Sequence, residues 1–380
     1  MSKSALKRRA SEARLWLTDA FFPLWAERGL NQDGLFCEVL DLDHAPAERD
    51  FARVRVQARQ TYVFAEALRL GWRPDIATDR VELGLGILTN LARRPDGLVG
   101  RTLKADGSGF LDDTADLYDI AFTLFAIGEA DAALGGMGET RASASALLDS
   151  VDRQMRDRTN GGYAEALPPP QVRLQNPHMH LLEACLSLHN VDPDGGHLDR
   201  ANEILSLFHA RLTAGPGKLL GERFAADWGI PEGRDADIVE PGHQFEWVWL
   251  LHQYAEAAGV PVSDAAGTLY AFACATLDDA GRACQEVTRD GVPADASRRT
   301  WPQTEALKAH LAMYEHSGEE RFAAAACTSF DVLLDEFLTV DGGWIDHYGA
   351  DGEVIATDMP ASTGYHVVLA FAELIRVMKA

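Results

Sequence analysis

Basic residues are scarce in this 380-residue chain: 35 Lys and Arg stand against 58 Asp and Glu, a formal charge of −23. A surface so acidic repels phosphate backbones and anionic bilayers, so neither nucleic acid nor membrane is expected as a partner. Cysteines are few as well. The five (Cys37, Cys185, Cys274, Cys284, Cys327) are odd in number, widely spaced and form no CxxC. That argues against a disulfide framework and fits small buried apolar residues in a reducing compartment. No uncharged apolar run is long enough to span a bilayer, and the start "MSKSALKRRASEARLWL" lacks the apolar core of a signal peptide. A cytoplasmic location is the expectation. Convincing alternating strands, HExxH and GxSxG are also missing.

What the chain does have is helical periodicity. Segments such as "FARVRVQARQTYVFAEALRLG", "TADLYDIAFTLFAIGEADAAL", "LDRANEILSLFHARL" and "RFAAAACTSFDVLLDEFL" place apolar residues at i, i+3 and i+4. About twelve such helices fit the length, each with its loop in roughly 30 residues. Some, such as "FEWVWLL" and "YHVVLAFAEL", are apolar nearly all round; others, such as "SASALLDSVDRQMRD", carry one charged face. The first kind belongs to an inner layer and the second to an outer layer. Glycine turns followed by an aromatic recur at "DGLF" (Asp33–Phe36), "GSGF" (Gly107–Phe110), "GGY" (Gly161–Tyr163) and "GGW" (Gly342–Trp344), consistent with one unit used repeatedly. An irregular solenoid would also satisfy this pattern. The reading adopted is an all-α, single-domain (α/α)6 barrel over residues 1–380.

Several inner-layer candidates begin with polar groups. "EPGHQFEWVWLL" sets His243 and Glu246 one turn apart at the start of an otherwise apolar helix. Pro241 suits a first helical turn and Glu246 could complement the helix dipole, but neither accounts for His243. "QNPHMHLLEACL" aligns Asn176, His180 and Glu183 in a stripe; "PASTGYHVVLAFAEL" opens on His366; "RRTWPQTEALKA" brings Trp301, Gln303 and Glu305; "RVRVQARQTYVF" brings Arg55 and Arg59. In a barrel these ends converge on one mouth. Burying so many ionisable groups without function costs several kcal/mol, so a shared pocket is the economical explanation. His178 and His180 point about 200° apart on a helix and do not share an ion easily. A metal is not expected, nor any other cofactor. Two carboxylates across a cleft, Glu246 with Glu305 or Asp112 with Asp113, keep glycoside hydrolysis open. Imidazoles suit proton abstraction beside a carbonyl better.

"NPHMHLLEA", "PGHQFEWVWLL", "RRTWPQTEALKA" and "PASTGYHVVLAF", in this order, resemble the N-acylglucosamine 2-epimerase superfamily from about Arg53 to the C-terminus. That resemblance implies the same barrel and a monosaccharide substrate. It implies His366 as the principal base moving the C2 proton and His243 as the second acid/base, with Glu246 orienting His243 or binding hydroxyls. His180 and Asn176 would bind hydroxyls and assist ring opening, and Arg59 would polarise the oxygens near C1 and C2. Trp301 and Tyr118 would line the pocket; Gln303, Glu305 and Arg234 would contact substrate. "HQFEWVW" and "WPQTE" are similar to the branch that isomerises mannose, which implies interconversion of D-mannose and D-fructose. A 2-epimerase, a mannose-6-phosphate isomerase and a non-catalytic sugar-binding barrel stand as alternatives. A phosphorylated sugar would call on Arg173, Arg234, Arg298 or Arg299. A homodimer is compatible with all of these.

Overall fold

The computed structural model describes residues 2–379. Helix α1 (Ser2–Trp16) runs through a π turn into α2 (Phe22–Arg28), forming one rod. Then follow α3 (Val54–Arg69), α4 (Pro74–Gly86), α5 (Leu117–Ala133), α6 (Gly138–Gln154), α7 (Asn176–Val191) and α8 (His197–Leu207). The series ends with α9 (Pro241–Ala258), α10 (Asp264–Ala275), α11 (Thr300–Ser317), α12 (Glu320–Val332) and α13 (Thr363–Lys379). Counting each π turn as a continuation gives twelve rods among the described residues. Six of them, α3, α5, α7, α9, α11 and α13, pack each against the next, and α13 returns to α3, closing an inner ring. The other six cover it in pairs such as α3 with α4 and α13 with α1. This is the (α/α)6 barrel.

Local chemistry sets the helix ends. Asp116 caps α5 by accepting from the Tyr118 amide at 2.9 Å. Pro177 and Pro241 sit in the first turns of α7 and α9, where a missing N–H costs nothing. Gly259 and Gly318 end α9 and α11 in left-handed conformation. The inner helices are buried around nearly their whole circumference in their first three turns, as for His243 to His252 of α9.

Connections from inner to outer helix are short (70–73, 134–137, 192–196, 259–263, 318–319), whereas those from outer to inner are long (29–53, 92–116, 155–175, 213–240, 276–299, 338–362). All long loops therefore crowd one end, where the inner helices begin. The short strands absent from the sequence reading lie here, two to seven residues each. Phe51–Arg53 pairs with Gly100–Lys104, and Phe110–Asp116 with Ala166–Leu167. Arg173–Leu174 pairs with Arg223–Phe224, Ile238–Val239 with Glu286–Thr288, Arg298–Arg299 with His347–Tyr348, and Asp358–Pro360 with Val39–Asp41. Each long loop is thus stitched to the next, and the sixth to the first. The result is a closed β collar around the barrel mouth.

Helix side chains tie the collar down. Gln57, Gln244 and Gln303, each in the first turns of an inner helix, donate to and accept from the backbone of Phe36, Leu220 and Ala283. Each amide thereby imitates a strand partner. His178 serves α7 similarly, its Nε2 accepting from the Tyr163 amide at 3.0 Å. The repeated turns explain part of the glycine pattern. Phe36, Tyr163 and Trp344 bridge back to Leu30, Arg156 and Leu338 just after an outer helix. In the second loop, however, that position is Val99, bridging Arg93, while "GSGF" is the tip of a separate hairpin. Gly342 is required in "GGW": its φ is +92°, and a Cβ would meet the Ala20 carbonyl at 2.5 Å. Trp344 then stacks on Trp25 at 5.2 Å.

Gln303 is therefore a loop clamp and not the sugar ligand expected of it. Gln303→Ala leaves the Ala283 amide and carbonyl buried without partners and is expected to destabilise the fold by about 2–4 kcal/mol. Denaturant unfolding measures this, and the KM of the folded fraction should stay unchanged.

Candidate active site

Inside the collar, the first turns of the six inner helices bring together Arg59, Tyr118, Asn176, His180, His243, Glu246, Trp301, Glu305 and His366. Trp301 holds the centre. Its ring lies 4.9 Å from the His243 ring and 5.9 Å from the His366 ring. Gly242 permits this, because a Cβ there would meet the indole at 2.4 Å. Asn176, Tyr118 and Trp301 are half-buried, whereas the three imidazoles are nearly closed off.

Each imidazole has its own carboxylate. His366 Nδ1 lies 2.8 Å from Glu305 Oε1, His243 Nδ1 lies 2.8 Å from Glu222 Oε2, and His180 Nδ1 lies 3.0 Å from Glu183 Oε2. The consequences differ because the surroundings differ. Burial lowers His366 to about 4; the raising effect of Glu305 is opposed by the charges of Arg59 and Lys308. His243 is also penalised by burial, yet Glu222 at 2.8 Å and Glu240 at 3.8 Å raise it to about 10. His180 is pushed well below the ordinary range by burial, with the charge of Arg59 adding to it. Near neutrality the site therefore holds one imidazolium, His243, and two neutral imidazoles.

Charge fixes the tautomer. Burial disfavours the Glu305 anion, but Lys308, 2.6 Å away, and His366 hold its pKa below the ordinary value, so it accepts from His366 Nδ1–H. That leaves the His366 Nε2 lone pair available. His243, charged, donates from Nδ1 to Glu222 and retains an Nε2–H. Arg59 donates to the Tyr118 hydroxyl at 2.8 Å and to the Ser362 carbonyl at 3.2 Å, and its Nε has no partner. The guanidinium lies 4.1 Å over the Phe122 ring. Asn176 Oδ1 likewise has no partner.

Some expected residues stand elsewhere or act otherwise. Glu246 does not orient His243; it lies 3.9 Å from His180 Nδ1, and burial together with Glu305 pushes its carboxyl well up toward the neutral acid. Glu222 takes the orienting role instead. It sits on a long loop, 21 residues before its partner, where no periodicity marks it. Glu305 is fully buried and its two oxygens face His366 and Lys308, so it is placed to orient the imidazole rather than to grip a hydroxyl. Arg234 lies on an outer turn with its side chain 70% exposed and pairs with Glu286 at 3.1 Å. It belongs to the rim. Asp112 pairs with Arg101 on the collar hairpin, and Asp113 is exposed there, so neither supplies a carboxylate to this pocket. Arg55 is bound by Asp119.

Three clusters have the composition of a cation site: His180/Glu183/Glu246, Glu222/Glu240/His243 and Glu246/Glu305/His366. The last already has the Lys308 ammonium against Glu305, and the second has a protonated imidazole at its centre. Protein cations thus neutralise both.

Residues 34–370 match the family model of N-acylglucosamine 2-epimerase (GlcNAc 2-epimerase). A mannose-6-phosphate isomerase of Rhizobium meliloti (strain 1021) is 36% identical, covering 98% of each chain. A D-mannose isomerase of Thermobifida fusca is 26% identical over 80% of this chain and 79% of its own. Among solved structures, the cellobiose 2-epimerase of Spirochaeta thermophila DSM 6192 superposes with a TM-score of 0.88 at 23% identity, covering 98% and 97% of the two chains. A D-mannose isomerase superposes at 0.85 and 18% identity, covering 98% and 97%. The barrel and its histidine-lined mouth define a sugar-isomerising or epimerising enzyme. This chain belongs to the N-acylglucosamine 2-epimerase family.

The raised pKa of His243 makes a prediction with a definite sign. The folded chain binds this proton more tightly than the unfolded one, so the stabilisation is complete below pH 6.5 and disappears as pH rises through about 10. Glu222→Gln should bring the basic limb of the kcat/KM profile down from near pH 10. The stability gap between wild type and variant should be widest below pH 6.5 and narrow above pH 10. Unfolding curves and rate profiles across that range check both.

Proposed function

We propose that the protein interconverts D-mannose and D-fructose through a cis-enediolate. The observation that carries this is the placement of two imidazoles against Trp301, His366 lowered by burial and His243 raised by Glu222 and Glu240. With the open-chain aldose between them, His366 Nε2 removes the C2 proton. His243 Nε2–H gives a proton to O1 as charge develops there and recovers one from O2. The His366 imidazolium then returns its proton to C1. All atoms balance, and both histidines end as they began. Arg59 stabilises the oxygens of the intermediate, and such oriented donors contribute most where charge develops. His180 and Asn176 meet hydroxyls and assist ring opening. No step needs a redox carrier, and every side chain named belongs to one chain.

The free sugar is preferred over its 6-phosphate, although the relative from Rhizobium meliloti bears the phosphorylated sugar in its name. Each candidate cation already has a carboxylate within 4.0 Å. Arg173 binds Glu165 at 2.8 Å and Asp157 at 3.0 Å, Arg234 binds Glu286, Arg298 lies 3.9 Å from Asp278, and Arg299 lies 4.0 Å from Asp346. A phosphate dianion at this rim would meet Glu222, Glu240 and Asp235 as well.

Incubation with mannose in D2O, followed by NMR, tests the reading. Fructose carrying deuterium at C1 is expected. Glucose carrying deuterium at C2 would instead mark epimerisation, the chemistry named in the cellobiose 2-epimerase relatives. Mannose 6-phosphate turning over faster than mannose would reverse the preference. His366→Ala and His243→Ala are each expected to lower kcat by about 10²–10⁴-fold, the usual worth of a general acid or base, with folding retained.

A further inference from the structure

Lys308 is fully buried on α11, one turn beyond Glu305. Its Nζ lies 2.6 Å from Glu305 Oε2 and 4.1 Å over the Trp249 ring. A buried ammonium is expensive, and an apolar side chain would fill this inner-layer position more stably. Glu305 uses its other oxygen on His366 Nδ1, so Lys308, Glu305 and His366 form a chain from the barrel interior to the pocket. We propose that Lys308 is a positioning residue of the reaction: its ammonium holds Glu305 as an ionised acceptor without letting the Glu305–His366 pair capture an extra proton, so that His366 Nε2 stays a free base. This rests on the proton-transfer role given to His366 above.

The groups facing His366 make Lys308 the decisive one. Glu305 and Lys308 approach from α11, Arg59 from α3, Glu246 from α9 and Glu183 from α7. Burial, with Glu305 beside them, raises Glu246 and Glu183 above the ordinary carboxylate range, whereas Lys308 and His366 hold Glu305 below it. An unopposed anion 2.8 Å from an imidazole attracts a proton onto it, as Glu222 does at His243. Lys308 supplies the opposition. Without it, His366 would come to resemble His243, and the site would hold two acids and no base.

The test follows the His366 ring by imidazole 15N NMR in the full chain, with no substrate present. In wild type His366 is expected to stay neutral down to about pH 4. Lys308→Met, which keeps the volume, and Lys308→Gln, which keeps a donor without charge, should each raise its proton affinity by about tenfold or more, a shift of roughly one unit. The acid limb of kcat/KM for mannose should move upward with it, while KM at high pH changes by less than about twofold. In a Glu305→Gln background, Lys308→Met should cause no further loss of kcat, because the route through the carboxylate is already cut. An unmoved His366 titration in a folded Lys308 variant, or the same loss of kcat in both backgrounds, would overturn the proposal. The titration decides this even if mannose proves not to be turned over, a result that would overturn the substrate reading alone.

Discussion

An ionisable side chain inside a helical barrel persists only with a partner, and the partner's own surroundings decide which charge the pair carries. Three imidazoles at the mouth each face a glutamate at 2.8–3.0 Å, yet they end in different states. His243 is flanked by two carboxylates, Glu222 and Glu240, and becomes a cation. His366 faces a carboxylate already matched by Lys308, with Arg59 nearby, and stays neutral. The same contact distance thus gives an acid in one place and a base in another. The proposed isomerisation needs both at once, and counting charges around each ring explains how one pocket supplies them.

The backbone makes that charge arrangement possible. Short connections on one face and long ones on the other put all six inner-helix starts under the loops, and the loops are paired strand by strand into a ring. The collar is not merely a cover. Glu222 sits beside its short strand Arg223–Phe224, which pairs with Arg173–Leu174 of the preceding loop. Gln175 also donates to Glu222 Oε2 at 3.0 Å and accepts from Trp247 Nε1 at 2.9 Å. The loop residue that charges His243 is thereby referenced to two inner helices. A carboxylate on an untethered loop would relax toward water and lose the geometry that raises the imidazole.

The barrel was legible because helix period and all-round burial are local properties: "FEWVWLL" and "YHVVLAF" announce an inner layer without tertiary information. The polar helix starts were legible for the same reason, since His243, His180, His366 and Arg59 interrupt apolar runs. Partners were not. Glu246, one turn from His243, is the natural candidate by helix spacing, but the ring turns toward Glu222, which only the folded collar brings near. Gln303 and Glu305 stand two residues apart at one helix start, so one faces the loop and the other the barrel axis. The strands were invisible because segments of two to seven residues, paired across loops, leave no alternation long enough to read. Lys308 lies within a quoted motif, yet a lysine on a helix is ordinarily solvated, and nothing local marks this one as buried.

Unsatisfied buried groups distinguish the site from the large cavity at the other end of the barrel. A cavity of about 720 Å³ opens at the opposite end, between the C-terminal halves of the inner helices, lined by Tyr62, Phe125, Trp249 and several charges. Several of its charges are closed upon one another. Arg69 binds Glu66 at 3.0 Å and Glu129 at 2.6 Å, Arg376 binds Glu373 and Glu315, and Trp249 donates to Glu373. At the mouth the reverse holds: Asn176 Oδ1, Arg59 Nε and Glu246 Oε1 are buried without partners, and His366 and His243 each keep one ring nitrogen uncommitted. A buried polar atom without a partner raises the energy of the empty state, and a polyol that supplies the missing hydrogen bonds recovers it. Glu183 joins the two regions, lining the far cavity while holding His180 and accepting from the Tyr365 hydroxyl. Volume is therefore the poorer guide here, because recognition of a sugar depends on where hydrogen-bonding capacity is left open, and among the described residues the site leaves it so while the lining of the far cavity does not.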